Sequence, residues 1–164
     1  MNAYLDIETS FDQRITIVGI WRDNSGQQLL GSPGEQMIQL VGPQVTSDAI
    51  MAALDGVEVL HTYNGHRFDL PVIKGALGLD LRRAFTCRDL MHDCWRKKLF
   101  GGFKGVERQL GISRETAGVD GWQAMQLWAK YLDHDDQDAL KLLLAYNRED
   151  CVNLEKVREF LDAR

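Results

Sequence analysis

Four carboxylates and a tyrosine occupy positions where acids are costly without a partner. Asp6 and Glu8 lie in Tyr4-Leu5-Asp6-Ile7-Glu8-Thr9, Asp69 closes Asn64-Gly65-His66-Arg67-Phe68-Asp69, and Tyr146 and Asp150 bound Tyr146-Asn147-Arg148-Glu149-Asp150. Asp6 and Glu8 are two apart in an alternating segment, so both project from the face opposite Leu5 and Ile7. Two acids that close repel each other unless a cation sits between them. Hard divalent ions such as Mg²⁺ or Mn²⁺ take oxygen ligands of this kind. Asp69 follows a strand and opens a helix, at the end of a sheet where ligands collect. Tyr146 and Asp150, four apart on a helix, share a face. Each segment also has a plainer reading: solvated strand acids, a helix cap at Asp69, and boundary residues flanking an apolar stripe. Converged, the four acids have the composition of a two-metal site for cutting phosphodiester bonds.

The elements that must position these residues are legible from periodicity. Tyr4–Glu8, Arg14–Arg22 and Met37–Val41 read as a meander of three strands, with a turn at Asp23-Asn24-Ser25-Gly26. Ser47 is expected to cap a helix over Asp48–Leu54, and Val57–Thr62 is a compact apolar strand. A helix is expected over Asp69–Leu77 and a fifth strand over Ala84–Cys87. Helices should follow over Met91–Leu99, Gly105–Leu110, Gly121–Leu132 and Gln137–Leu161. The order predicts one mixed sheet flanked by helices, its last two strands parallel to the first. In the last helix the apolar stripe is Leu140, Leu143, Leu144, Cys151, Leu154, Val157 and Leu161. Tyr146 and Asp150 flank it, and Asn147 lies within it, where an amide needs partners. Trp122 and Trp128 read as core residues.

The chain has 164 residues, the size of one domain, here expected to span 1–164. It has no apolar run long enough for a transmembrane helix, and its start lacks the features of a signal peptide. Cys87, Cys94 and Cys151 form no C-x-x-C pair, which points to a reducing, cytoplasmic setting. His61, His66, His92 and His134 show no metal-ligand spacing, and His66 reads as a turn residue. The net charge of −5 speaks against a nucleic-acid partner until its distribution is considered. Between Arg82 and Arg108 eight basic residues face three acids, a balance of +5, while the remainder carries −10. Arg96, Lys97, Lys98 and Lys104 flank the pair Gly101-Gly102 and are expected to contact a phosphodiester backbone. Trp95, Phe100 and Phe103 lie among them, as base-stacking residues or as helix core.

Asp6-x-Glu8 on the first strand, Asn64-x-x-x-Phe68-Asp69 at a strand-to-helix junction and Tyr146-x-x-x-Asp150 on a late helix together resemble the ribonuclease H-like superfamily. Within it they resemble the DEDD 3′→5′ exonucleases, relatives of polymerase proofreading domains. The resemblance spans nearly the whole chain, and its specificity lies in the combination of motifs. It is to the tyrosine branch (DEDDy): the histidine of the other branch would stand five residues before the last Asp, where this chain has Ala145. The stretches from Phe103 to Ile112 and from Tyr146 to Leu154 also look like a compact bacterial subgroup of such domains.

The resemblance implies an α/β fold with a five-stranded mixed sheet of order 3-2-1-4-5, strand 2 antiparallel. It implies 3′→5′ exonuclease activity on single-stranded DNA or RNA with two divalent ions, Mg²⁺ or Mn²⁺. Asp6 would bridge the ions, Glu8 and Asp150 would complete one site, Asp69 would hold the second, and Tyr146 would orient the attacking water. Thr9, Asn64 and Phe68 are the expected contacts to the terminal nucleotide. The alternatives are an endonuclease acting on structured RNA or RNA–DNA hybrid, and an inactive nucleic-acid-binding module.

Overall fold

The computed structural model describes residues 1–23 and 37–163. The sheet is five-stranded and mixed, built from β1 (Asn2–Thr9), β2 (Ile15–Arg22), β3 (Met37–Val41), β4 (Val59–Thr62) and β5 (Thr86–Asp89), in the order β3-β2-β1-β4-β5. β2 runs antiparallel to both of its neighbours, and β4 and β5 run parallel to β1. This is the expected sheet. The expected turn at Asn24–Gly26 lies outside the described residues.

The helices are α1 (Ser47–Ala53), α2 (Asp69–Leu77), α3 (Leu81–Ala84), α4 (Leu90–Arg96), α5 (Gly102–Leu110), α6 (Gly121–His134) and α7 (Gln137–Asp162). Several ends differ from the sequence expectation because a cap decides them. Thr46 rather than Ser47 caps α1, accepting from Ala49 N–H at 3.2 Å. The segment expected to begin a fifth strand at Ala84 instead ends a single helical turn, capped by Asp80. The strand therefore starts two residues later, and Asp89 at its end caps α4.

The alternation of β1 divides the core in two. Ala3, Leu5 and Ile7 face one side, where they pack with Ile50 of α1, with Leu54 just past its end, and with Leu70 and Ile73 of α2. Tyr4, Asp6 and Glu8 face the other side, which α4 to α7 cover. There Tyr4 packs with Leu90, Cys94, Val106, Leu154 and Val157, and Ile17 packs with Trp128, Leu143 and Tyr146. Trp128 is core, as expected. Trp122 is not: it is 59 % exposed and meets Phe11 edge-on at 5.0 Å. It occupies the first turn of α6, where period alone does not separate rim from core. Among the described residues no helix is long and apolar enough to cross a membrane.

Two glycines set close approaches. A Cβ on Gly19 of β2 would lie 2.2 Å from Oδ1 of Asn147, so the glycine lets α7 lie directly on the sheet. A Cβ on Gly65 would lie 2.3 Å from Oγ1 of Thr62, so the turn after β4 folds tightly onto the strand end.

Candidate active site

β4 pairs with β1 only from Asn2 to Tyr4. Beyond that point the edge of β1 facing β4 is free, and the N–H of Ile7 needs another acceptor. Asp69, the first residue of α2, supplies it with Oδ1 at 3.1 Å. Asp69 is thus not the cap of its helix; it takes up the ladder where β4 leaves off. Next to it β1 carries an irregularity, the register with β2 shifting between Glu8 and Thr9, which bends the strand end where the acids stand.

From the other side α7 brings in Asp150. One oxygen each from Asp6, Glu8 and Asp150 lies within 4.8 Å of the others. Asn147, one turn before Asp150 and fully buried, donates its amide to Asp6 Oδ2 at 3.0 Å and to Asp6 carbonyl oxygen at 3.2 Å. Its own oxygen accepts from Gln39 of β3 at 2.9 Å. The amide in the apolar stripe therefore has its partners, and they orient Asp6. Tyr146 and Asp150, expected at the boundary, are buried at 6 % and 7 % exposure, because Gly19 lets the helix sit so close.

Burial and mutual repulsion act on all four acids. Burial, with the charges of Asp150, Glu8 and Asp69, holds Asp6 well above the usual carboxylate range. Burial and Asp150 do the same to Glu8. Asp69 is pushed up to about 7 by burial, against the Ile7 N–H. Asp150 is pushed up to about 6 by burial, against the opposing charge of Arg114. Such a cluster of oxygen donors with too little positive charge fits a hard divalent cation.

Two cations approach it. Arg114, in the loop between α5 and α6, lies with Nη1 2.7 Å from Asp150 Oδ1 and 2.8 Å from buried Glu107. The loop is tied down by Glu149, which accepts from the N–H of Thr116 at 3.0 Å and from its hydroxyl. Lys104 of α5 donates to the Tyr146 hydroxyl at 2.9 Å and to the Val119 carbonyl. Its ammonium also lies 4.5 Å from the centre of the Tyr146 ring, with the Arg114 guanidinium 5.3 Å from the same ring. Burial and nearby carboxylates keep the tyrosine protonated by raising its pKa.

Asp6, Tyr146, Asp150, Lys104, Tyr63, Phe103 and the Gly101-Gly102 pair line an open pocket of about 340 Å³. A larger groove of about 620 Å³ runs along α7 past Gln39, Glu149 and Lys156. Of the two, the smaller is the one that Asp6 and Asp150 line.

The other expected contact residues are divided. Thr9 stands at the irregular end of β1. Asn64 adopts φ +60 in the turn after β4, and its N–H donates to Asp89 at 2.8 Å. Phe68 is 43 % exposed at the start of α2. Lys104 reaches the site but is held by Tyr146 and Val119. Arg96 pairs with Asp93, and Lys97 reaches the Ala163 carbonyl and lies over Phe160. Lys98 makes no such contact among the described residues. Trp95 and Phe100 are exposed, while Phe103 packs on Tyr63 at 5.0 Å. Arg114, Glu107 and Gln39 were not expected from sequence. Arg114 sits in a loop without periodicity, and only its partners' burial marks it.

The family model RNase_H_2, described as RNase_H superfamily, matches residues 3–162. Among solved structures the chain is similar to the family B DNA polymerase from the hyperthermophilic archaeon Pyrobaculum calidifontis. That match has a TM-score of 0.64 at 14 % identity and covers 97 % of this chain and 24 % of the polymerase. The chain thus spans about a quarter of the polymerase's length, and at that identity the likeness is one of fold. No curated protein matches.

Proposed function

The chain belongs to the RNase H superfamily, and from that premise we propose that it is a metal-dependent 3′→5′ exonuclease of the tyrosine branch, hydrolysing single-stranded DNA or RNA. The observation that carries the reading is the convergence of Asp6, Glu8 and Asp150 within 4.8 Å beside the pocket that Tyr146 lines. Asp6 would bridge two divalent ions, Mg²⁺ or Mn²⁺, with Glu8 and Asp150 completing one site and Asp69 the other. When bound, the ions supply a hydroxide nucleophile and stabilise the attacking and leaving oxygens of the phosphoryl group.

The chain's own residues do the rest. Asn147 and Gln39 fix Asp6, and Arg114 fixes Asp150. Tyr146 stays protonated and orients the attacking water, and Lys104 fixes the direction of its hydroxyl. The ammonium of Lys104, beside Gly101-Gly102, also faces the phosphate. Thr9, Asn64 and Phe68 contact the terminal nucleotide, and Lys98 the phosphates beyond it. The exposed Phe11–Trp122 pair, whose Phe11 is two residues past Thr9 in sequence, offers aromatic surface to a base. The three cysteines are free thiols, in keeping with a cytoplasmic setting. We read the chain as one catalytic domain.

The test uses oligonucleotides labelled at the 5′ end, with Mg²⁺ or Mn²⁺, beside a circular single strand. Progressive shortening of the linear substrate, absent in Asp6→Asn and Asp150→Asn and absent on the circle, is the expected result. Cutting of the circle, or shortening that survives both substitutions, would refute the assignment.

A further inference from the structure

A second group of metal-binding side chains lies outside the acid cluster. His66 in the turn before α2, Asp89 at the end of β5 and His92 in the first turn of α4 each place one ligand atom within 4.8 Å of the others. The sequence hides the group, since His66 is far in sequence from the other two. Asp89 and His92, three apart across the start of α4, share a face.

Asp89 is buried and firmly oriented. Oδ1 accepts from the N–H groups of Asn64 at 2.8 Å and Met91 at 3.1 Å, and Oδ2 from the N–H of His66 at 3.2 Å. A carboxylate has about four acceptor positions, so one remains, on Oδ2. The hydrogen bond to Met91 accounts for capping α4, and those to Asn64 and His66 account for closing the turn. Neither role needs the two imidazoles. Yet the rings converge, their centres 6.2 Å apart, and Trp95 supports His92 edge-on at 5.5 Å. Both histidines are half-buried, so solvent can reach them.

We propose that His66, Asp89 and His92 bind one Zn²⁺ ion, with water as the fourth ligand. Two imidazoles and a carboxylate form a donor set for a borderline ion rather than for Mg²⁺, which sets it apart from the all-oxygen cluster. Ligand bonds of about 2.0–2.2 Å place tetrahedral donors roughly 3.3–3.5 Å apart. With the ligand atoms within 4.8 Å of one another, the three groups need to close by at most about 1.4 Å, within reach of rotation of two half-buried imidazoles. The ion would tie the turn carrying Asn64, Phe68 and Asp69 to α4. Arg82 already holds that turn from its other side, donating to the His66 carbonyl at 2.6 Å. Zinc here is a brace for the strand-to-helix junction.

The test starts from the full chain with Asp6→Asn and Asp150→Asn, which weakens ion binding at the acid cluster whether or not the nuclease reading holds. Zn²⁺ is titrated by calorimetry with Mg²⁺ in excess, and Co²⁺ by its visible absorption. The expected result is one ion per chain and tetrahedral Co²⁺ bands. The melting temperature should rise by about 5 °C at free Zn²⁺ roughly 100-fold above the measured Kd. All three should be lost in His92→Ala and in His66→Ala, with folding checked by circular dichroism and His92→Gln used if His92→Ala unfolds. Absence of saturable Zn²⁺ binding, or binding that survives the histidine substitutions, would overturn the proposal. Loss of nuclease activity alone bears only on the acid cluster.

Discussion

The acids at the ends of β1, α2 and α7 and the cations between Arg82 and Arg108 differ in how their charges are met. Asp6, Glu8, Asp69 and Asp150 are brought together by regular elements, and burial together with neighbouring acids raises their pKa values, which Lys104 at Glu8 and Asp150 and Arg114 at Asp150 offset only in part. The cations of the band largely have internal partners: Arg82 the His66 carbonyl, Arg88 both Asp93 and Asp162, Arg96 Asp93, Lys104 Tyr146. A charge already satisfied inside the protein gains little from a ligand, while an unsatisfied one gains a great deal. The acid cluster is therefore where a cation would gain most, whereas most of the band is already engaged inside the protein and, of the four cations beside Gly101-Gly102, Lys98 is the one without such a partner among the described residues.

The contrast is broken most directly by activity. Asp6→Asn should lower the rate of hydrolysis by about 10³-fold or more, measured on labelled single strands under saturating Mg²⁺. A loss of less than tenfold would place the chemistry elsewhere.

His61 probes the inward role of the band. Burial pushes this imidazole down to about 4, and Arg88 and Arg158 add repulsion. The unfolded chain takes up a proton near 6.5 while the folded chain does not. Stability from this site is thus complete above pH 6.5 and falls as the pH drops toward 4. The loss is on the order of 3 kcal/mol. Urea unfolding at pH 7 and pH 4.5, compared with His61→Leu, should show a steeper decline in the parent chain; parallel declines would contradict a His61 held neutral by burial and its cationic neighbours.

Tyr146→Phe removes the hydroxyl and keeps the ring packed. The expected cost is about 10²-fold in kcat with little change in KM, read from steady-state kinetics.

The acid cluster should also destabilise the protein when no metal is present. Raised pKa values mean that the stability tied to these acids is complete below their unfolded values near 4 and is lost as the pH rises through 6 to 7. Asp6→Asn should therefore raise the melting temperature of the metal-free chain at pH 8, by about 3 °C. Saturating Mn²⁺ should reverse the order of the two proteins.

The smallest effects belong to the band. Lys97→Ala should change KM by less than about twofold, because Lys97 is held by α7. Lys98→Ala should weaken binding more and lower the salt dependence by about one phosphate contact. Equal effects of the two would erase the distinction drawn between them.

The mixed sheet and the faces that carry the acids were legible because each rests on a local pattern, while the strand order came from the resemblance. Alternation in β1 puts Asp6 and Glu8 on one face, and helical spacing joins Tyr146 to Asp150. The helix ends were less legible, since Thr46, Asp80 and Asp89 decide them through single hydrogen bonds. Arg114, Gln39 and the His66–Asp89–His92 group were not legible at all, because each depends on contacts between distant segments. The engagement of the basic band was hidden for the same reason: composition reports charge and not whether a partner inside the protein has already taken it. Asn147 lay between these cases, since its place in an apolar stripe called for partners that only the fold could name.

The central claim is that the four acids hold two metal ions, and crystals soaked with Mn²⁺ and a nucleoside monophosphate test it most directly. The expected result is two anomalous peaks within about 4 Å of each other, one touching Asp6, Glu8 and Asp150 and the other Asp6 and Asp69, with the phosphate between them. An empty acid cluster, with the nucleotide bound elsewhere, would contradict it.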